Sequence, residues 1–183
     1  FKLLIKNIKY KLKISNYYPG PLLPATFKRK KILDLLEKSS KIKSIFIRRA
    51  NYQAGLNKEN VRFNLIKKEF YKNILQTDYT ICIRGTGNFS ARFYETMAMG
   101  RIPIFINSDA ELPFRDQIDW DNQVVFVEEE DVINLDKKII DFHNSLTPSK
   151  FKDIQNANRQ IWEKYFKYSG YYSELVKVIK TKI

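Results

Sequence analysis

The amino-acid sequence predicts an α/β fold, a parallel sheet flanked by helices and followed by a helical tail. Three observations predict it. Short apolar runs at 42–47, 78–83, 102–106 and 123–127 alternate with segments of helical period, the pattern of βαβ units. Glycine or proline punctuates the junctions, at Gly85, Gly87, Gly100 and Pro103. The residues after about 130 carry helical period alone.

Element by element, residues 1–15 mix Ile, Leu and Lys and fit either a strand or a helix. NYYPGPLLPAT, residues 16–26, reads as a loop and a natural boundary. Thr26 is placed to cap the following helix, in which Ile32, Leu35 and Leu36 share a face. IKSIFI reads as a strand, and a helix over about 58–75 carries Phe63, Ile66, Phe70 and Ile74 as one stripe. DYTICIRG is a buried strand ending in Arg-Gly, GTGNFS a turn, and SARFYETMAM a helix with Gly100 as its C′ residue. IPIFIN is a strand, with proline tolerated near its start. A polar loop with one short helical turn leads to the strand QVVFV. Helices at about 131–145, 148–167 and 170–180 close the chain, the second with Phe151, Ile154, Ile161, Trp162 and Tyr165 on its apolar side. We divide the chain into an amino-terminal linker or remnant at 1–25, an α/β domain at 26–147 and carboxyl-terminal helices at 148–183.

The chain has 183 residues, the length of one domain, and a formal charge of +13 from 33 basic and 20 acidic residues. That charge speaks about partners, and three fit: nucleic acid, an anionic membrane surface or a phosphorylated ligand. Much of the excess is lysine on helix faces, a background that often has no specific partner. No apolar run is long enough for a membrane-spanning helix. The single cysteine, Cys82, excludes an intrachain disulfide, and the single histidine, His143, makes a multi-histidine zinc site or an internal Ser-His-Asp triad a poor expectation. His143, near a helix end, fits a role against the helix dipole.

The chemistry is expected between Tyr79 and Ile106. In open α/β sheets ligands bind at the carboxyl ends of the strands. A loop with Gly85 and Gly87 lets backbone approach a phosphate, and the helix starting near Ser90 offers free N–H groups and partial positive charge. Arg84 adds a forked cation suited to phosphate, and Glu95, one turn past Ala91 and Arg92, could take the hydroxyls of a ribose. On spacing alone an ordinary turn capped by Asn88 or Ser90 explains the loop equally well, and an Arg92–Glu95 pair explains the carboxylate. GTGNFS matches neither the dinucleotide fingerprint nor a P-loop.

The same stretch resembles the exostosin signature: Arg84-Gly85, then Ser90-Ala91-Arg92-Phe93-Tyr94-Glu95, then Gly100-Arg101-Ile102-Pro103. Leu112-Pro113-Phe114, Ile118-Asp119-Trp120, Ile47-Arg48-Arg49 and Phe70-Tyr71-x-Asn73-Ile74 extend the likeness to bacterial exostosin-like proteins over roughly residues 42–130. Met99 and Ala110 stand where many relatives carry cysteine. The resemblance implies the Rossmann-like, donor-binding carboxyl-terminal half of an inverting glycosyltransferase of the two-domain GT-B type. Glu95 would hold the donor ribose, while Gly85, Thr86, Gly87, Asn88 and Ser90 would meet the diphosphate with Arg84. Arg49 would assist, unless it serves a surface or interdomain salt bridge. Asp109, at a strand's carboxyl end, is the one member of the acidic loop expected near the donor; Glu111, Asp116, Asp119 and Asp121 read as caps and loop hydrogen bonds.

The resemblance further implies a nucleotide-sugar donor, uridine diphosphate-linked by default, and no requirement for a metal or other cofactor. The expected partners are a glycan or lipid-linked acceptor, an amino-terminal acceptor domain that residues 1–25 do not supply, and a peripheral membrane contact, without nucleic acid. No general base is named, and the chain is expected to be inactive alone. The composition suggests a cytoplasmic protein, peripheral to the inner face of the membrane. The alternative is a basic nucleic-acid-binding or membrane-surface α/β domain without catalysis; against nucleic acid, most aromatics fall on apolar stripes rather than beside basic side chains.

Overall fold

A computed structural model describes residues 2–16, 25–49, 61–85 and 89–182. The elements run α1 (Lys2–Lys11), α2 (Ala25–Lys38), α3 (Val61–Leu75), β1 (Tyr79–Cys82), α4 (Ala91–Ala98), β2 (Ile102–Asn107) and β3 (Val125–Glu128), then α5 (Leu135–Asn144), α6 (Pro148–Ile161) and α7 (Tyr168–Lys182). A 3₁₀ turn, Trp120–Asn122, precedes β3, another, Glu129–Asn134, follows it, and a π-helical turn, Trp162–Phe166, joins α6 to α7. The α/β class holds: the three strands pair in parallel in the order β1-β2-β3, with Ile81 opposite Ile104 and Ile104 opposite Val125.

Strand alternation divides the core between the two faces of the sheet. On one face Ile102, Ile104 and Ile106 of β2 meet Val125 and Val127 of β3, covered by Ile32 and Leu36 of α2, Leu135 and Ile139 of α5 and Ile154 of α6. On the other face Cys82 and Phe105 meet Phe93 and Met97 of α4, with Leu112, Ile118, Trp120 and Tyr165 completing the layer. The loop after β2 is thus pinned by its own apolar side chains, and the Trp120 indole donates to the Pro113 carbonyl at 2.9 Å. The expected stripes hold: Ile74 of α3 is buried, with Phe63, Ile66 and Phe70 half-buried along the same helix.

Two local expectations change. IKSIFI, expected as a strand, runs without a ladder from 43 to 49, so β1 forms the edge of the sheet among the described residues. Its apolar members still pack, Ile42 and Phe46 against the first core face. β propensity records a fit to a half-buried surface and does not by itself supply a hydrogen-bonded neighbour. Thr26 is not a cap either, because α2 starts one residue earlier, at Ala25. The undecided amino-terminal stretch is helical, and α1 closes with Lys13 at a left-handed φ of 57°, its N–H bonding to the Tyr10 carbonyl and that of Ile14 to the Lys9 carbonyl.

The end of α4 is set by Gly100. Its φ is +61°, its N–H donates to the Met97 carbonyl and the Arg101 N–H to the Thr96 carbonyl. This is the paired closure of a Schellman motif, and it turns the chain directly into β2. Asn158 of α6, fully buried, then donates to the carbonyls of Arg101 and Gln123 at 3.2 and 3.0 Å, fastening α6 to the entries of β2 and β3. Gly170 is required by the π-helical turn, since a Cβ there would collide with the carbonyls of Lys164 and Glu163.

Replacing Gly100 by alanine places a side chain in the left-handed region, at roughly 1–2 kcal/mol, and sets its Cβ 3.3 Å from the Gln155 carbonyl. We expect thermal unfolding of Gly100→Ala about 2–8 °C below that of the unsubstituted chain, measured by calorimetry.

Candidate functional site

All three parallel strands point their carboxyl ends to one edge of the sheet, so the segments leaving β1 and β2 meet there. Arg84 and Gly85 leave β1, and the Gly85 N–H donates to the Phe89 carbonyl at 3.0 Å, closing the loop that enters α4. Thr86, Gly87 and Asn88 lie outside the described residues. Ser90 occupies the N-cap position with extended backbone, φ −118° and ψ 112°, but its hydroxyl makes no capping hydrogen bond. Of the two capping residues expected for this turn, Ser90 therefore does not cap it, and Asn88 lies outside the described residues.

Arg84 is half-buried, and its buried Nε has no hydrogen-bond partner. A buried guanidinium N–H without an acceptor is costly, and an anion at the strand end is the chemistry that would satisfy it. Glu95 is half-buried on α4. It forms no hydrogen bond or ion pair with a described residue, and the expected pair with Arg92 is absent. Arg92 instead lays its guanidinium over the Phe70 ring, 4.9 Å from the centroid. Burial raises the Glu95 carboxyl above its ordinary 4.5, with nearby Arg92 opposing in part.

Arg49 pairs with Glu69 of α3, and Arg48 pairs with Asp34 and Glu37 of α2, each at 2.7 Å. These are partly exposed salt bridges of small individual worth. Arg49 nonetheless stands near Arg92, as does Arg29: loss of solvent first, and then the charges of Arg29 and Arg49, hold Arg92 below the ordinary arginine value, with Glu95 opposing in part. Among the described residues neither Arg29 nor Arg92 has an ion pair. Three guanidiniums thus gather with two carboxylates, Glu69 and Glu95, a local excess of positive charge. Sequence reasoning gave Arg92 only as a partner for Glu95 and passed over Arg29. The signal for Arg92 was its place in the first helical turn; for Arg29 there was none, since α2 and α4 meet only through folding.

Asp109 is exposed, with φ at 59°, in the turn where the Ala110 N–H bonds to the Asn107 side-chain oxygen at 3.2 Å. Asp119 accepts from the Asn122 amide at 2.6 Å, a loop hydrogen bond as expected for the acidic stretch. Among the described residues no three His, Cys, Asp or Glu side chains come together as a metal site. Cys82 is fully buried, and burial pushes its thiol up to about 12, which makes it inert. His143, exposed in the last turn of α5, shares a 2.8 Å hydrogen bond with the Tyr79 hydroxyl.

A cavity of about 360 Å³ opens beside β1, lined by Ile42, Ile45 and Phe46 on one side and by Tyr79, Thr80 and Ile81 on the other, and it reaches Arg29, Arg49 and Arg92. Neither Arg84 nor Glu95 lines it. It is the gap between the sheet edge and the unladdered segment, and only its arginine end bears on the site.

The sign of the Glu95 shift gives a test. A carboxyl raised in the folded state contributes full stability below its unfolded value, and that stability is lost as pH rises through the folded value. Glu95→Gln should therefore raise the unfolding free energy at pH 7, and the gain should vanish below about pH 4.5, as read from denaturant titrations at the two pH values.

The family model described as Exostosin GT47 domain matches residues 25–141. A protein named "Probable glucuronosyltransferase" from Oryza sativa subsp. japonica is 40% identical over 67 residues, covering 37% of this chain and 15% of the relative. "Probable glucuronosyltransferase 47 A" from Physcomitrium patens is 36% identical over 83 residues, 44% of this chain and 18% of the relative. A "Probable beta-1,4-xylosyltransferase" from Arabidopsis thaliana is 34% identical over 82 residues, 43% of this chain and 20% of the relative. The matched stretch thus spans a fifth or less of these relatives' length.

Proposed function

The chain belongs to the Exostosin GT47 family, and from that premise we propose that its α/β domain holds the nucleoside diphosphate of a nucleotide-sugar donor for an inverting, GT-B type glycosyl transfer in glycan synthesis. The observation that carries the reading is Glu95, a half-buried carboxylate without an ion pair among described residues, on the helix that follows the loop after β1. A carboxylate left unpaired in a partly buried place wants hydrogen-bond donors, and a ribose diol supplies two.

The charge around it fits the rest of the donor. When the sugar leaves, negative charge develops on the departing diphosphate. Preorganised N–H donors and guanidinium groups lower the barrier because they need no reorganisation as that charge appears. Arg84, with its unsatisfied Nε, and the amino end of α4 take this role, and Gly85 admits backbone close to the phosphates. Arg92 and Arg49 extend the positive field. With the diphosphate charge met by arginine, the reading needs no metal ion. Asp109, exposed in the turn that leaves β2, is the contact proposed from the second strand end.

The relatives' names speak of glucuronosyl and xylosyl transfer, and uridine diphosphate is the first donor nucleotide to try. The acceptor, a glycan or a lipid-linked sugar, and the base that activates it belong to a second domain in this reading.

Calorimetric titration with UDP and GDP tests it. The folded chain should bind a nucleoside diphosphate, and Glu95→Ala should weaken that binding about ten- to a hundredfold, the cost of one charge-assisted contact. A chelator should leave the affinity unchanged. A folded chain that binds neither diphosphate, or that binds equally well after Glu95→Ala, overturns the assignment.

A further inference from the structure

We propose that the cavity beside β1 is a slot for the carboxyl terminus of an extended peptide, laid parallel to β1 with its terminal carboxylate at Arg29, Arg49 and Arg92. This goes beyond sugar transfer and does not depend on it.

One wall of the slot is a free strand edge. The Asp78 carbonyl accepts from the Ile102 N–H at 3.1 Å, and β1 pairs with β2 in parallel from there. Backbone groups alternate sides along a strand, so those of Thr80 face β2 and those of Tyr79 and Ile81 face the slot. Among the described residues no backbone hydrogen bond reaches them. The facing wall, 43–49, is held in place by side chains rather than by a ladder. Phe46 packs on the core, the Asn73 amide donates to the Ile45 carbonyl at 3.0 Å, and Arg48 is tied to Asp34 and Glu37. The space between is about 360 Å³, the size of a small-ligand site. Thr80, which lines it, has a buried hydroxyl without a hydrogen-bond partner.

The ligand follows from the walls. Unpaired N–H and C=O groups along a strand edge are met by another extended backbone, the chemistry of β-augmentation. The lining is mixed, as an extended peptide needs, with Ile42, Phe46 and Ile81 apolar and Ser44 and Thr80 polar. Charge sets the direction. Arg29, Lys43, Arg49 and Arg92 line the slot against one acidic residue, Asp78. Asp78 precedes β1, whereas Arg92 stands in the first turn of α4, which follows it, and Arg29 and Arg49 lie near Arg92. Arg29 and Arg92 are exposed, without an ion pair among the described residues. A parallel peptide brings its carboxylate to these forked cations and its amino end toward Asp78. An antiparallel one would set its amino end among the arginines.

Fluorescence anisotropy of an amino-terminally labelled tetrapeptide of alternating valine and serine, titrated with the 183-residue chain, tests the proposal. The free-acid peptide should bind saturably. Its carboxyl-terminal amide should bind about ten- to a hundredfold more weakly, the loss of one charge-assisted contact. Arg29→Gln, a change at an exposed position, should weaken the free acid. Ser44→Trp, which fills the slot, should abolish binding with the melting temperature retained. Peptide binding by a chain that takes no nucleoside diphosphate still supports the proposal. Failure of the folded chain to bind the free acid overturns it, as does equal binding of acid and amide, or binding that is unchanged by Arg29→Gln or survives Ser44→Trp. Hydrogen exchange that protects the Tyr79 and Ile81 amides in the peptide-free chain as strongly as those of β2 would show that segment 43–49 closes the edge itself, and would overturn it equally.

Discussion

The whole structure depends on β2 being apolar on both faces. Ile102 through Ile106 are all buried, with no polar side chain among them. A strand of that kind in a parallel sheet must be covered above and below. One face takes α2, α5 and α6; the other takes α4, the pinned loop after β2 and the π-helical turn. Parallel pairing then forces each connection to cross back over the sheet, through α4 between β1 and β2 and through the pinned loop between β2 and β3. The direction of all three strands, and hence the edge at which their following loops gather, is fixed by that requirement before any ligand is considered.

At this edge the sequence spends residues that the fold alone does not call for. A helix amino end with Ser90 beside it would ordinarily be capped by the hydroxyl, yet here it is not. Arg92 gives up the local carboxylate one turn away and lies on an aromatic ring contributed by α3. That choice leaves Glu95 without an ion pair among the described residues and adds a guanidinium to the group formed with Arg29 and Arg49. Each arrangement is a small loss to the isolated domain, and the losses share one edge. Local inconsistencies of this sort are expected at functional or strained sites, and this edge is where the proposed donor site lies.

Much of this was legible in the sequence, for reasons that can be named. β1, β2 and α4 declared themselves because Ile81 to Ile83 and Ile102 to Ile106 are continuous apolar runs, and Gly100 stood where a left-handed residue had to close the helix. Arg84, Gly85 and Glu95 followed from their places relative to those elements. IKSIFI misled because a strand is a relation between two segments, and its composition could not reveal that β1 would have no ladder partner on that side among the described residues. The Arg92–Phe70 contact was hidden because it joins α4 to α3 across a strand and a loop. The π-helical turn was hidden because Trp162 to Phe166 keeps an apolar pattern close to that of an ordinary helix.

Asn158 has a reach its position does not advertise. Its single amide group satisfies two carbonyls at the starts of neighbouring strands, while Ile154 and Tyr165 fill the layers on either side of the sheet. The stretch matched by the family ends at residue 141, short of all three. The matched stretch and the packed core therefore have different carboxyl-terminal borders. A chain cut at Thr147 would keep every residue of the signature and lose the clasp at the mouth of the sheet, with its strand entries open to water.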